Sequence, residues 1–485
     1  MSGELYINGS WSHGQGPALT SSDPATDETV WQGATASAGD VVAAVTAARA
    51  AFQGWADQPR EARIALLRRY QKVLEARRPA MAEALSRETG KALWETTAEV
   101  GSMIAKVDAS IAAYDERTGE KVSNTAFGRA VLRHRPHGVM AVLGPFNFPA
   151  HLPNGHIVPA LLAGDTVVYK PSEETPLAGR LLAEALVEAG LPAGVFNLVQ
   201  GGRETGAALI DQDIDGLLFT GSAQAGAFFR RHFADRPHVI LALELGGNNP
   251  LVVWDAADAG AAAALVVQSA FITTGQRCSC ARRLILPAGA SGDAVLEALV
   301  SLTDRLVVGP WNGADEPFMG PLISARAAEL ARGAADARYG AAVALPVATR
   351  SPEGGAWFAP RIYHLGDEAT PDEEIFAPIL QVRRASSLDQ AIEMANDTRY
   401  GLSAGLISDE AAHWDLFQKR IRAGVANWNR PTTGAAGTAP FGGLGDSGNH
   451  RPSAYYAADY CAWPMASFEA DQVLPTLAEI KGLRP

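Results

Sequence analysis

An α/β fold built on parallel sheets is what this 485-residue sequence predicts, and two observations carry the prediction. Short apolar runs recur at 139–143, 166–169, 195–199, 217–220, 239–243 and 251–254. Between them lie stretches with helical spacing, notably 176–189 (ended by Gly190) and 259–272. Apolar runs alternating with helices are the pattern of βαβ units around a parallel sheet. The N-terminal part differs. Residues 6–11 read as a hairpin turning at Asn8-Gly9, a favoured two-residue turn. Three helical stretches follow, at 40–56, 60–89 and 92–114, the second stopping at Gly90. Residues 429–452 are rich in Gly, Pro and Thr and read as a long loop, and 454–468 as an aromatic, strand-like tail. No internal repeat, low-complexity tract or linker divides the chain.

Length allows two or three domains, and a composition of 47% hydrophobic and 19% charged residues is that of a globular protein. The net charge of −12 argues against a nucleic-acid partner, which calls for Lys and Arg against phosphate. Three cysteines, Cys278, Cys280 and Cys461, do not form a disulfide framework, which predicts a reducing compartment. The first residues show no signal peptide, and no uncharged apolar stretch is long enough for a membrane span. The expected location is the cytoplasm.

Five segments carry candidate chemistry. The first is Phe271-Ile272-Thr273-Thr274-Gly275-Gln276-Arg277-Cys278, where a helix runs into a glycine turn and then presents a thiol. A thiol needs a helix N-terminus or a cation to become a thiolate at neutral pH. Alone, Cys278 reads as readily as a buried structural cysteine. Cys278-Ser279-Cys280 lacks the paired ligands of a zinc site, and none of the ten histidines completes one, so no metal is expected. The second is Leu243-Glu244-Leu245-Gly246-Gly247. A carboxylate in an apolar pocket has a raised pKa and suits a general base; taken alone, Glu244 reads first as a solvated strand-end charge, and only beside a reactive cysteine as a base. The third is Gly144-Pro145-Phe146-Asn147-Phe148-Pro149, whose prolines stiffen the loop around an amide that could serve an oxyanion hole or merely complete a turn. The fourth, Thr220-Gly221-Ser222-Ala223-Gln224-Ala225-Gly226, lies between strand and helix, where Gly221, Ser222 and Gly226 would let phosphate approach a helix N-terminus. It is neither a Walker loop nor a standard G-x-G-x-x-G fingerprint. The fifth is Lys170-Pro171-Ser172-Glu173 at a strand end, where open α/β sheets bind ligands. Lys170 could bond ribose hydroxyls, and Glu173 would repel a 2′-phosphate, favouring NAD over NADP.

Taken in chain order, with Glu374-Ile-Phe376-Ala-Pro and Pro440-Phe-Gly-Gly443 added, these segments resemble the aldehyde dehydrogenase superfamily over nearly the whole length. The resemblance implies an aldehyde dehydrogenase-like fold. It would comprise a Rossmann-type cofactor domain (1–118 and 139–245), an α/β catalytic domain (246–445), and a small β oligomerisation arm with the tail (119–138 and 446–485). It implies an NAD-dependent oxidation in which Cys278 attacks an aldehyde, and Asn147 with the Cys278 backbone N–H holds the oxyanion. Glu244 then activates the water that hydrolyses the thioester. Glu374 and Phe376 match the nicotinamide-ribose site, and Lys170 and Glu173 the adenosine-ribose site. A homodimer or homotetramer is expected.

Two runs, 149–160 and 447–462, depart from the usual superfamily pattern and resemble a branch that acts on a dianionic, succinylated semialdehyde in bacterial arginine catabolism. Two remote carboxylates call for Arg or His. Arg277, His156, Arg282, His450 and Arg451 are the candidates, each equally readable as a surface ion pair. The alternatives are transfer of the acyl group to coenzyme A, which Glu244 opposes, oxidation of another semialdehyde, and a non-catalytic protein of the same fold, which the presence of Cys278, Glu244 and Asn147 opposes.

Overall fold

The computed structural model describes residues 3–126, 128–340, 342–347, 349, 351–366, 370–473 and 481–482. The first seven-stranded sheet places its strands in the order Ile240–Leu245, Gly216–Gly221, Val139–Leu143, Thr166–Lys170, Phe196–Leu198, Leu5–Ile7 and Ser10–Ser12. The first five strands of this order are parallel, and the N-terminal hairpin adds antiparallel at the far edge. Alternate residues of each parallel strand enter opposite cores. Met140, Val142, Val167 and Tyr169 face one, and Val139, Ala141, Leu143 and Val168 the other. This is why the runs are continuously apolar: helices cover both faces.

In chain order the parallel strands lie 5-4-1-2-3, so the winding reverses between Val139–Leu143 and Gly216–Gly221. A crevice opens at such a switch point, beyond the carboxyl ends of the strands, and ligands bind there.

A second sheet runs Val343–Ala344, Arg361–His364, Ile379–Ala385, Ala281–Pro287, Asn249–Val253, Ser403–Ile407 and Val425–Trp428, with all pairs parallel except the first. A third, antiparallel sheet joins Lys121–Thr125, Gly128–Pro136 and the tail strand Ala462–Glu469.

The helices end where local chemistry ends them. Ser37 and Asp40 form a reciprocal capping box at the start of Ala38–Ala56. Gly90, at φ 73°, closes Arg60–Thr89 in the left-handed conformation that glycine adopts freely. The third helix, Leu93–Arg117, runs past 114. Two readings change. The loop at 429–452 contains a two-residue strand, Pro440–Phe441, which pairs with Ser453–Ala454, and a 3-10 turn, Gly445–Ser447. The tail is not strand from 454: Ala457–Tyr460 is a helical turn, whose Tyr460 is buried against the main core.

Candidate active site

A cavity of about 1000 Å³ occupies the crevice. One wall comes from Gly144, Pro145, Phe146 and Asn147, another from Phe219 to Gln224, and a third from Cys278, Glu374 and Phe376. Phe146 and Phe376 meet edge to face, with centroids 5.8 Å apart.

The Asn147 loop leaves the strand Val139–Leu143 and is held from below by a buried ion pair. Lys91 and Glu99 bond each other with side chains only 3% and 0% exposed. The Lys91 ammonium also donates to the Asn147 carbonyl at 2.8 Å, and lies 4.1 Å from the Phe148 ring centroid. Glu99 accepts the Ala150 and His151 N–H groups, each at 3.1 Å. The Asn147 amide is buried and donates to the Gln276 carbonyl at 2.9 Å. This joins the loop to the cysteine segment and leaves the second amide hydrogen for the cavity.

Cys278 follows an unusual turn. The helix Ala259–Phe271 ends, and Thr273, Thr274 and Gly275 take φ of 56°, 54° and 69°. Non-glycine residues in that region cost on the order of 1–3 kcal/mol each. Side chains hold them there: Thr273 donates to Glu95, and Thr274 to the Gly320 carbonyl at 2.8 Å. Gly275 has no alternative, since a Cβ would strike the Ala377 backbone. Asn249 then fixes the backbone of this segment, donating to the carbonyls of Cys278 at 2.7 Å and Cys280 at 2.9 Å.

The thiol is not activated as its sequence suggested. Burial first, then the nearby Glu374 and Glu244 carboxyls, push it up to about 12. Arg277 pulls the other way but is engaged elsewhere, donating to Thr273 at 2.7 Å and to Glu95 at 3.1 Å. Cys278 therefore rests as a thiol, and a base has to take its proton.

Glu244 lies on the edge strand Ile240–Leu245, in register with Thr220 of the neighbouring strand. It is 5% exposed, and burial lifts it well above the ordinary carboxylate range against the pull of Ser453. Its Oε1 accepts the Ser453 N–H at 3.0 Å, while its Oε2 has no partner among the described residues. Burial likewise raises Glu374 to about 7, opposed by Arg282, whose guanidinium is 3.2 Å away. Glu374 packs over Gly246, where any Cβ would collide with it.

At the far end the cavity meets the N-terminus of the helix Ala223–His232, capped by Ser222. Gly221, Ser222 and Arg230 line this end, which suits an anionic group approaching free backbone N–H donors. Gly226 does not line it: buried in the helix, it makes room for Leu245. Lys170 is also not on the wall. Its ammonium donates to the carbonyls of Pro171 at 2.6 Å and Gly201 at 2.7 Å, and burial lowers it to about 8. Ser172 reaches the cavity above it, and Glu173, 3.8 Å from the ammonium, is half-exposed.

The substrate cations need correction. His156 is fully enclosed, bonded to the Tyr460 hydroxyl at 2.8 Å and Thr220 at 3.3 Å, and burial lowers it to about 3. It is a neutral core residue, not an anion ligand. Arg282 is 3% exposed, and its two terminal nitrogens donate to Ala377, Arg277 and Glu374. His450 and Arg451 are exposed and lie outside the cavity lining. Arg277, partly exposed beside Cys278, is likewise outside that lining and is paired with Glu95.

Sequence reasoning missed Lys91, Glu95, Glu99, Lys106 and Asn249. Three of these share a signal. Glu95, Glu99 and Lys106 fall at i, i+4 and i+11 on the helix face that carries Val100, Met103 and Val107, so charge is interleaved with the buried stripe. Among the described residues no cluster of His, Cys, Asp and Glu could hold a metal ion.

The profile of the Aldehyde dehydrogenase family matches residues 11–463, and the chain belongs to that family. It is 71% identical, over the full length of both chains, to N-succinylglutamate 5-semialdehyde dehydrogenase of Caulobacter sp. (strain K31). It is 54% identical to the enzyme of the same name from Burkholderia mallei (strain SAVP1), covering 97% of each chain. Among solved structures, 1-pyrroline-5-carboxylate dehydrogenase from Thermus with bound NAD superposes with a TM-score of 0.88 at 31% identity, covering 96% of this chain and 92% of that one. Mycobacterium tuberculosis aldehyde dehydrogenase complexed with NAD+ gives 0.89 at 30% identity, covering 97% and 99%.

Proposed function

We propose that this protein oxidises N-succinylglutamate 5-semialdehyde to N-succinylglutamate with NAD, through a thioester on Cys278, as a step of arginine catabolism. The observation that carries the chemistry is that Cys278, Asn147 and Glu374 line one cavity that also takes in a helix N-terminus, with the buried Glu244 carboxyl close enough to act on the Cys278 thiol. The relatives' shared name supports the substrate.

The crevice fits the dinucleotide. Gly221 and Ser222 at the Ala223–His232 helix would take its phosphates, and Glu374 and Phe376 its nicotinamide ribose; Lys170 and Glu173 lie off the cavity wall, and to hold the adenosine ribose the Lys170 ammonium would exchange its Pro171 and Gly201 carbonyl partners for it. Glu173 beside Lys170 favours an unphosphorylated ribose. When bound, the cofactor supplies the hydride acceptor.

The chain's own residues do the rest. Cys278 Sγ, once deprotonated, attacks the aldehyde carbon, and the Asn147 amide with the Cys278 N–H stabilises the resulting oxyanion. Loss of hydride leaves an acyl thioester. Glu244, raised by burial, takes a proton from the water that attacks it, releasing the carboxylate and restoring the thiol. Arg277, next to Cys278 in the chain and already paired with Glu95, would have to exchange that partner to bind a substrate carboxylate.

The three-stranded sheet leaves Val122, Trp463 and Phe468 exposed by 53%, 62% and 86%. A homodimer or homotetramer assembled through this arm would cover these side chains. Three free cysteines suit a cytoplasmic protein.

The test is NADH formation with N-succinylglutamate 5-semialdehyde against glutamate, succinate and simple aliphatic semialdehydes. A kcat/KM higher by about 100-fold for the succinylated compound, or about 2.7 kcal/mol of discrimination, is expected. Equal turnover of the others would remove the substrate and leave only the class of reaction.

A further inference from the structure

A buried lysine stands two hydrogen bonds from Glu244. Lys106, on the helix Leu93–Arg117, is 7% exposed, and no carboxylate pairs with its ammonium among the described residues. Its titratable neighbours are His151, His156 and Cys461, each kept neutral by burial. Burial lowers Lys106 itself to about 8, so it still carries its proton at neutral pH. A buried ammonium without a counter-charge is costly to keep, and its one hydrogen bond calls for a reason.

That bond goes to the Ala454 carbonyl at 2.6 Å. Ala454 has φ of 58°, the left-handed region that an L-residue with a Cβ avoids. The residue before it, Ser453, donates its N–H to Glu244 Oε1 at 3.0 Å, while its hydroxyl donates to the Phe441 carbonyl at 3.1 Å. Ser453 is the sole hydrogen-bonding partner of the Glu244 carboxyl among the described residues, since Oε2 has none. The orientation of the carboxyl thus depends on a two-residue strand, and Lys106 grips the strained member of that strand.

We propose that Lys106 is a positioning residue for the hydrolytic half of the reaction: by holding Ala454 in its left-handed conformation it fixes the Ser453 N–H that aims Glu244 at water. This rests on the reading of Glu244 as the deacylating base. Formation of the thioester depends on Cys278 and Asn147, which Lys106 does not touch, so its effect falls on the second half-reaction.

Lys106→Met keeps the length of the side chain and removes the donor. Rapid mixing with N-succinylglutamate 5-semialdehyde and NAD separates the first turnover from the steady state, and intact-protein mass spectrometry reads the fraction of Cys278 that is acylated. Glu244→Gln sets the scale for blocked hydrolysis. The expected result is a first turnover within about twofold of wild type, a steady state lower by about tenfold or more, and accumulated acyl-enzyme. Adding Ala454→Gly should restore about threefold or more of the lost rate, because glycine takes positive φ without strain. A loss shared equally by the first turnover and the steady state, or no loss in either, would overturn the proposal. Lys106→Arg, which keeps the charge but moves the donor, has to show the same split, and serves alone if Lys106→Met does not fold. If Glu244→Gln itself accumulates no acyl-enzyme, the reading of Glu244 fails, whatever Lys106 does.

Discussion

Replacing Lys91 with methionine tests whether the floor of the site is set by a buried ion pair. In the wild type the Lys91 ammonium meets Glu99, the Asn147 carbonyl at 2.8 Å and the face of Phe148 at 4.1 Å. Lys91→Met strands the Glu99 carboxylate, whose side chain is 0% exposed, with only two backbone donors at 3.1 Å. Breaking a buried pair from one side costs about 3–5 kcal/mol, against less than about 1 kcal/mol for a surface pair. Most of that loss should be recovered in Lys91→Met/Glu99→Gln, where no unpaired charge remains. The assay is urea unfolding of wild type, both single variants and the double, with midpoints compared at constant m-value. The Asn147 loop loses its anchor in the same experiment, so kcat/KM should fall by about 10- to 100-fold, the effect of a small misplacement at the reacting centre. A single variant that loses under about 1 kcal/mol, or a double variant as unstable as the sum of the singles, would refute the reasoning.

Two other expectations follow from the same geometry. Burial holds the Glu244 carboxyl well above its usual range, and burial with Glu374 and Glu244 holds the Cys278 thiol at about 12. Both groups act only when ionised, so kcat should climb with pH from about 6 to 9 and not pass through a maximum near neutrality. A pH–rate profile that falls over that range would contradict it. Asn147→Ala removes an oxyanion donor already tethered to Gln276 at 2.9 Å, and should lower kcat by about 100- to 1000-fold with little change in the unfolding midpoint. An intact rate would take Asn147 out of the chemistry.

The strands and helices were legible because both faces of the first sheet are covered, which makes each strand a continuous apolar run. Gly90 and Ser37 punctuate the helices in ways that local chemistry dictates. The 457–460 turn was misread because Tyr455, Tyr456 and Tyr460 look like strand residues, while the packing of Tyr460 against His156 from a distant helix decides the conformation. Of the candidate site, the sequence marked segments that the fold brings to one cavity, where Asn147, Cys278 and Glu374 reach the wall. His156 and Arg282 looked like anion ligands by charge alone, and depth of burial, which one sequence does not display, turned both into internal supports. Lys91, Glu99 and Lys106 carry the opposite lesson: charges that would be assigned to a solvated face support the catalytic loops from within.

The central claim is that Cys278 carries the acyl group and Glu244 releases it. Its most direct test is a single mixing of Glu244→Gln with NAD and N-succinylglutamate 5-semialdehyde, followed by intact-protein mass and peptide mapping. About one NADH per site should form, followed by a stall, with the acyl mass on the peptide containing Cys278. Continued turnover at the wild-type rate, or an adduct on any other residue, would contradict it.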